Sequence, residues 1–172
     1  VPADGDSDDG GGARCAAGVA QRGADLVASL HRRLTHVATR VAQKPRKRVF
    51  VLEWIDPPFG AGHWVPDIVV AAGGEPVVAR PGEKSIPTTW AEIATAAPDV
   101  VLVSPCGYGL DAAATQAQAI EHLLPNACEV WAIDADAVMV RPGARRVDGV
   151  EAIASILHGI SEVPEHVLRR IR

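Results

Sequence analysis

The sequence predicts an α/β fold: a three-layer parallel sheet of about four strands with helices on both faces, preceded by one long helix. Three observations carry this. Short apolar runs, Val49-Phe50-Val51-Leu52 and Val100-Val101-Leu102-Val103 among them, have the length of strands buried on both faces. These runs alternate with segments whose apolar residues repeat at helical spacing, the pattern of parallel strands joined by crossover helices. Ahead of them lies one uninterrupted helical segment, with Leu26, Leu30, Leu34, Val37 and Val41 on a single face.

Residues 1–15 are rich in Asp and Gly and read as a disordered leader or linker. Residues 16–44 form the long helix, which Pro45 ends. Residues 45–172 form the α/β lobe. Its first strand is Arg48 to Leu52. A helix from His63 to Ala72 follows, stopped by Gly73-Gly74. Pro76 to Ala79 is a short strand. Thr88 or Thr89 caps a helix from Trp90 to Ala97, with Glu92 in its first turn. Val100 to Ser104 is the third strand, and Asp111 caps a helix reaching Leu124. Glu129 to Ile133 is the fourth strand. Val147, Val150, Ile153 and Leu157 share one face of a helix from Val147 to Leu157, and Glu165 to Ile171 adds a last short helix.

The bulk composition narrows the function. At 172 residues and 48% hydrophobic content the chain is globular, with enough length for one core. A formal net charge of −4 argues against nucleic-acid binding, which calls for a basic field. The basic clusters 44–48 and 169–172 read as solvated flanks. No apolar run is long enough to span a membrane. Three cysteines, at 15, 106 and 128, match neither a disulfide framework nor a zinc site. The chain starts at Val1 without a signal segment, as expected of a processed or truncated protein.

The chemistry concentrates in the stretch from Glu53 to Asp67. It holds two of the four tryptophans, Trp54 and Trp64, with Glu53, Asp56, Phe59 and His63. It follows the first strand, at the sheet edge where ligands of open α/β sheets bind. Indoles are costly to leave wet, so a loop with two of them covers either a core edge or a ligand. The segments Cys106-Gly107-Tyr108 and Asp134-Ala135-Asp136 follow other strands on the same edge, and Arg141-Pro142-Gly143 lies just beyond. An apolar, aromatic edge with a few polar points is the make-up of a small-molecule site. Enzymatic alternatives are a metal at Glu53, Asp56 and His63, or a Cys106 nucleophile with His63 as base. The metal reading lacks any established ligand spacing, and a buried cysteine usually acts as a small hydrophobe. Neither the dinucleotide nor the P-loop glycine pattern occurs, so no catalytic cofactor is expected.

Several blocks together resemble a known family. They are Leu52-Glu53-Trp54-Ile55-Asp56-Pro57, Gly62-His63-Trp64-Val65-Pro66-Asp67, Ala72-Gly73-Gly74-Glu75, Pro105-Cys106-Gly107-Tyr108, and Arg141-Pro142-Gly143 followed by Arg145-Arg146-Val147-Asp148-Gly149. With the long helix before them, they resemble the second lobe of a cobalamin-binding, periplasmic-binding-protein-like receptor of the ABC transporter type. Receptors for haem and ferric siderophores belong to the same helical-backbone group. The resemblance implies two α/β lobes on one rigid helix, with a corrinoid held between them and no catalysis. It implies a membrane permease as partner and a periplasmic or cell-surface location, while the lack of a signal segment leaves the cytoplasm open. It implies ligand contacts from Glu53, Trp54, Asp56, Phe59, His63 and Trp64, joined by Cys106, Gly107, Tyr108 and Arg141. Only the helix and second lobe are expected here, since residues 1–23 cannot form a first lobe. The chain departs from the family in a shorter segment between Tyr108 and Asp134, and in Val138-Met139-Val140, where aromatics are common. Rival readings are a haem or ferric-siderophore lobe, the small enzyme above, and an orphan lobe that binds nothing. With one lobe absent, the helix stripe would stay partly bare and favour self-association.

Overall fold

The structure, a computed structural model, describes residues 10–172, with side chains described from residue 18. The first helix, α1 (Gly10–Val41), begins before the expected Ala16, although three glycines, poor helix formers, open it. Residues 10–15 are therefore helical, and the rest of the expected leader lies outside the described residues. The stripe on α1 divides in two. Val37 is buried, and Leu34 and Val41 pack on the lobe, whereas Leu26 remains 52% exposed. Arg33 anchors the helix by pairing with Asp148 at 2.5 Å and Glu151 at 2.6 Å.

The lobe is a mixed sheet of seven strands. Its centre is parallel: β1 (Arg48–Ile55) pairs with β5 (Val100–Val103), which pairs with β6 (Glu129–Ile133). The short β3 (Glu75–Pro76) runs parallel to the start of β1. The remaining strands are antiparallel additions. β2 (Pro58–Gly60) folds back on the end of β1, β4 (Ile86–Pro87) pairs with β2, and β7 (Leu168–Arg170) pairs with β6. Segment 165–171 thus ends in a strand, not the expected helix. Its apolar spacing suits a helix, but the open edge of β6 offers ladder hydrogen bonds that decide the matter.

Alternate residues of the central strands feed two cores, one on each face. Val49, Val51, Val100, Leu102 and Ile133 face α1, α2 (Val65–Ala71) and α6 (Arg145–His158). Phe50, Leu52, Val101, Val103 and Val130 face α3 (Trp90–Thr95) and α4 (Leu110–Ile120). Each such fully buried side chain contributes on the order of 1.5–3 kcal/mol, which explains why the central strands read as unbroken apolar runs. A capping box between Thr89 and Glu92 starts α3. The Thr88 and Thr89 hydrogen bonds hold the Glu92 carboxyl below its ordinary range. Gly109, not Asp111, is the cap of α4, and Asp111 lies in the first turn. Asp134 caps the short α5 (Ala135–Val138) by accepting from the Ala137 N–H at 2.8 Å. Among the described residues, no helix is long and apolar enough to cross a membrane.

Candidate functional site

The stretch expected to be one loop is a hairpin. β1 runs on through Glu53 and Trp54 to Ile55, turns at Asp56-Pro57, and returns as β2. Its register shifts between Leu52 and Trp54, so Glu53 is the extra residue of a bulge. Bulges re-aim a side chain that the regular pleat would direct elsewhere. The Glu53 carbonyl accepts the Cys106 N–H at 3.2 Å, which joins the hairpin to the turn after β5.

A pocket of about 340 Å³ opens at this edge. Glu53, Trp54, Phe59, His63, Trp64 and Cys106 line it, together with Val65, Ser85 and Val140. The lining is mostly apolar, with Glu53 as its acid. Half-burial raises the Glu53 carboxyl above the ordinary 4.5. The Ser85 hydroxyl and the Gly62 N–H, both donating to it, and the nearby His63 imidazole pull the other way and are outweighed.

Two features set the pocket's far wall. His63 has φ 54°, a left-handed backbone that a non-glycine residue adopts only when held. Its N–H donates to Glu83 at 2.6 Å and its carbonyl accepts from Gly82 at 2.8 Å, while Arg80 donates to Ala61 at 3.0 Å. These bonds clamp the loop between β3 and β4 onto residues 61–63 and bring Ser85 to Glu53. Trp64 is the N-cap residue of α2, not a helical position as expected. Its indole N–H donates to the Met139 carbonyl at 2.8 Å, and the Arg146 guanidinium lies 5.0 Å from the ring centroid.

Residues 16–135 match the family described as periplasmic binding protein. The chain belongs to that family. Among curated proteins, none matches the chain. Among solved structures, a periplasmic heme binding protein from Pseudomonas aeruginosa is similar at 19% identity and a TM-score of 0.70, covering 89% of this chain and 59% of that one. The periplasmic heme-binding protein BhuT, solved in complex with two hemes, is similar at 24% identity and a TM-score of 0.61, over 85% and 59%. The periplasmic vitamin B12 binding protein BtuF of Vibrio cholerae is similar at 22% identity and a TM-score of 0.58, over 74% and 50%. The chain thus spans between 50% and 59% of the length of these structures.

Four expected contact residues of this periplasmic binding protein lie outside the pocket lining. Asp56 is exposed in the turn, where its carbonyl accepts the Trp54 indole N–H at 3.1 Å. Gly107 takes φ 84° in a turn and lies outside the lining. Tyr108 stands edge-on to Trp54 with ring centroids 6.2 Å apart and is not part of the lining. Arg141 is drawn away to Asp136 at 3.0 Å. Val65, Ser85 and Val140 were missed. Val140 belongs to the Val138-Met139-Val140 run noted above, whereas nothing local marks Ser85. Among the described residues, no group of three or more His, Cys, Asp or Glu is placed to hold a metal ion.

Proposed function

We propose that this chain is the ligand-binding second lobe and interlobe helix of a non-enzymatic, transport-type receptor, and that its ligand is a corrinoid such as cobalamin. Residues 16–44 serve as the interlobe helix and residues 45–172 as the lobe. The observation that carries the reading is the pocket itself. Two indoles, a phenyl ring and two valines surround one bulge-aimed carboxylate at the carboxyl edge of the parallel strands. A corrin is broad, flat and apolar at its rim, with amide arms that need acceptors. Indole faces cover such a rim, and a carboxylate accepts from such arms. Family membership makes a membrane permease the expected partner and the periplasm or cell surface the expected compartment.

A haem or ferric-siderophore ligand is the second reading. His63 and Cys106 favour it, since both line the pocket and carry nitrogen and sulfur donors suited to an open axial position on iron. Titration of the chain with cyanocobalamin, haemin and a ferric siderophore, followed by tryptophan fluorescence, separates the two. Saturable quenching by cyanocobalamin is expected. Quenching by haemin or the siderophore alone moves the assignment to the second reading, and no response to any of them, from the chain or from a full two-lobed form, overturns both. Thiol-labelling rates and elemental analysis test the enzyme alternative. A fast-reacting Cys106 or stoichiometric metal would support it.

A further inference from the structure

Glu53 is the feature of the pocket that apolar ligand binding leaves unexplained. A carboxylate in an apolar recess is costly to keep there unless cations or hydrogen-bond donors compensate it. No lysine or arginine lines the pocket. Among the described residues, no ion pair involves Glu53. The arginines that flank the segment nearby are engaged elsewhere: Arg141 with Asp136, Arg80 with Glu83, and Arg146 over the Trp64 ring.

The chain nevertheless builds this position deliberately. The bulge in β1 turns Glu53 out of the ladder and into the pocket lining. The clamped loop brings Ser85 to its Oε2. Gly62, whose N–H also bonds the carboxyl, is wedged against the backbone of residues 83–85, where a Cβ would sit 2.3 Å from the Ser85 nitrogen. These neighbours are donors. They hold the group as an acceptor without cancelling its charge.

We propose that Glu53 is a specificity-determining residue that selects neutral amide arms and rejects ligand carboxylates. The inference rests on the corrinoid reading above and deepens it. An amide N–H meets an oriented acceptor, whereas a carboxylate meets a like charge with no lysine or arginine in the lining to offset it. Selection then acts by repulsion of the wrong ligand as much as by attraction of the right one. Haem, with two propionates, and corrinoids with a hydrolysed arm belong to the rejected class.

The test compares cyanocobalamin with its separated monocarboxylic acids, each carrying one hydrolysed side-chain amide, and with haemin. Affinities are measured for the unsubstituted chain and for Glu53→Gln, which keeps the size and an acceptor oxygen but removes the charge. At least one acid should bind the unsubstituted chain about tenfold or more weakly than cyanocobalamin, as like charges at a binding surface require. Glu53→Gln should shrink that ratio severalfold, whatever its effect on cyanocobalamin affinity itself. A salt series on the unsubstituted chain gives a second measurement should the variant fail to fold. The acid's penalty should shrink as ionic strength rises, and cyanocobalamin affinity should stay level. Cyanocobalamin binding with no penalty for any acid, or a penalty unchanged by both Glu53→Gln and salt, overturns the role of Glu53 and leaves the corrinoid reading intact. Absence of cyanocobalamin binding overturns the corrinoid reading and the selectivity with it.

Discussion

The Trp64 indole N–H donates to the Met139 carbonyl at 2.8 Å, so the ring that walls the pocket also ties the start of α2 to the segment after α5. Trp54 has no such second duty. It is 42% exposed, and its indole bonds only to the adjacent turn. Replacing the two by alanine should therefore give different results. Trp64→Ala loses a hydrogen bond and packing against the first core, and should cost about 2–4 kcal/mol of folding stability. Trp54→Ala should cost under about 1 kcal/mol of stability but about 2 kcal/mol of ligand affinity. Trp90, packed on the second core away from the pocket, is the control and should affect stability alone. Denaturation midpoints and affinities for the three variants check this. A Trp54→Ala chain that binds normally would remove that indole from the site.

Gly62 should tolerate no side chain. A Cβ there would lie 2.3 Å from the Ser85 nitrogen and 2.6 Å from the Lys84 carbonyl carbon, both backbone atoms. Gly62→Ala must push the 83–85 backbone away and break the Ser85 bond to Glu53. The expected cost is about 1–3 kcal/mol, in the range of overpacking in a tight site. Thermal denaturation reads the stability loss. Faster amide exchange at His63 and Gly82 reads the loosened clamp.

The central strands were legible because burial on both faces leaves only apolar residues in the stretches 49–52, 100–103 and 130–133. The edge strands were not. Pro57-Pro58 argues against a strand, yet Pro58 is the first residue of β2, a position where proline is tolerated. Leu168-Arg169-Arg170 has no strand pattern of its own, and its pairing is decided by the free edge of β6. The pocket was legible to the extent that topology places the carboxyl ends of parallel strands together, which brought Glu53, Trp54 and Cys106 to one surface. Ser85 arrives by a loop that backbone bonds fold back from outside that edge, so no residue pattern announces it. Arg141 pairs with Asp136, five residues away, a contact that side-chain charge makes and motif order hides.

The exposed end of the α1 stripe should drive association of the chain with a second copy. Val19, Leu26 and Val27 are each more than half exposed, and they continue the face that Leu34 and Val37 bury against the lobe. Light scattering across a concentration series should show a mass above that of the monomer, and Leu26→Glu should return it to the monomer by charging the stripe. A parent that stays monomeric throughout would show that the bare stripe is tolerated.

His158 should make the lobe lose stability in mild acid. It closes α6 against the α2 turn, with its Nε2 buried. Desolvation by burial lowers its pKa below the ordinary 6.5, and the charges of Lys44 and Lys47 act in the same direction, while hydrogen bonding to the Gly73 and Ala72 backbone opposes them. A histidine with a depressed folded pKa binds protons more readily when unfolded. Its contribution is fully present above pH 6.5 and is lost as pH falls through the folded value. The slope from this one group cannot exceed about 1.4 kcal/mol per pH unit. Chemical denaturation at several pH values should show the decline below pH 6.5, and His158→Gln should flatten it relative to the parent. An identical pH dependence in parent and variant would assign the acid sensitivity to other groups.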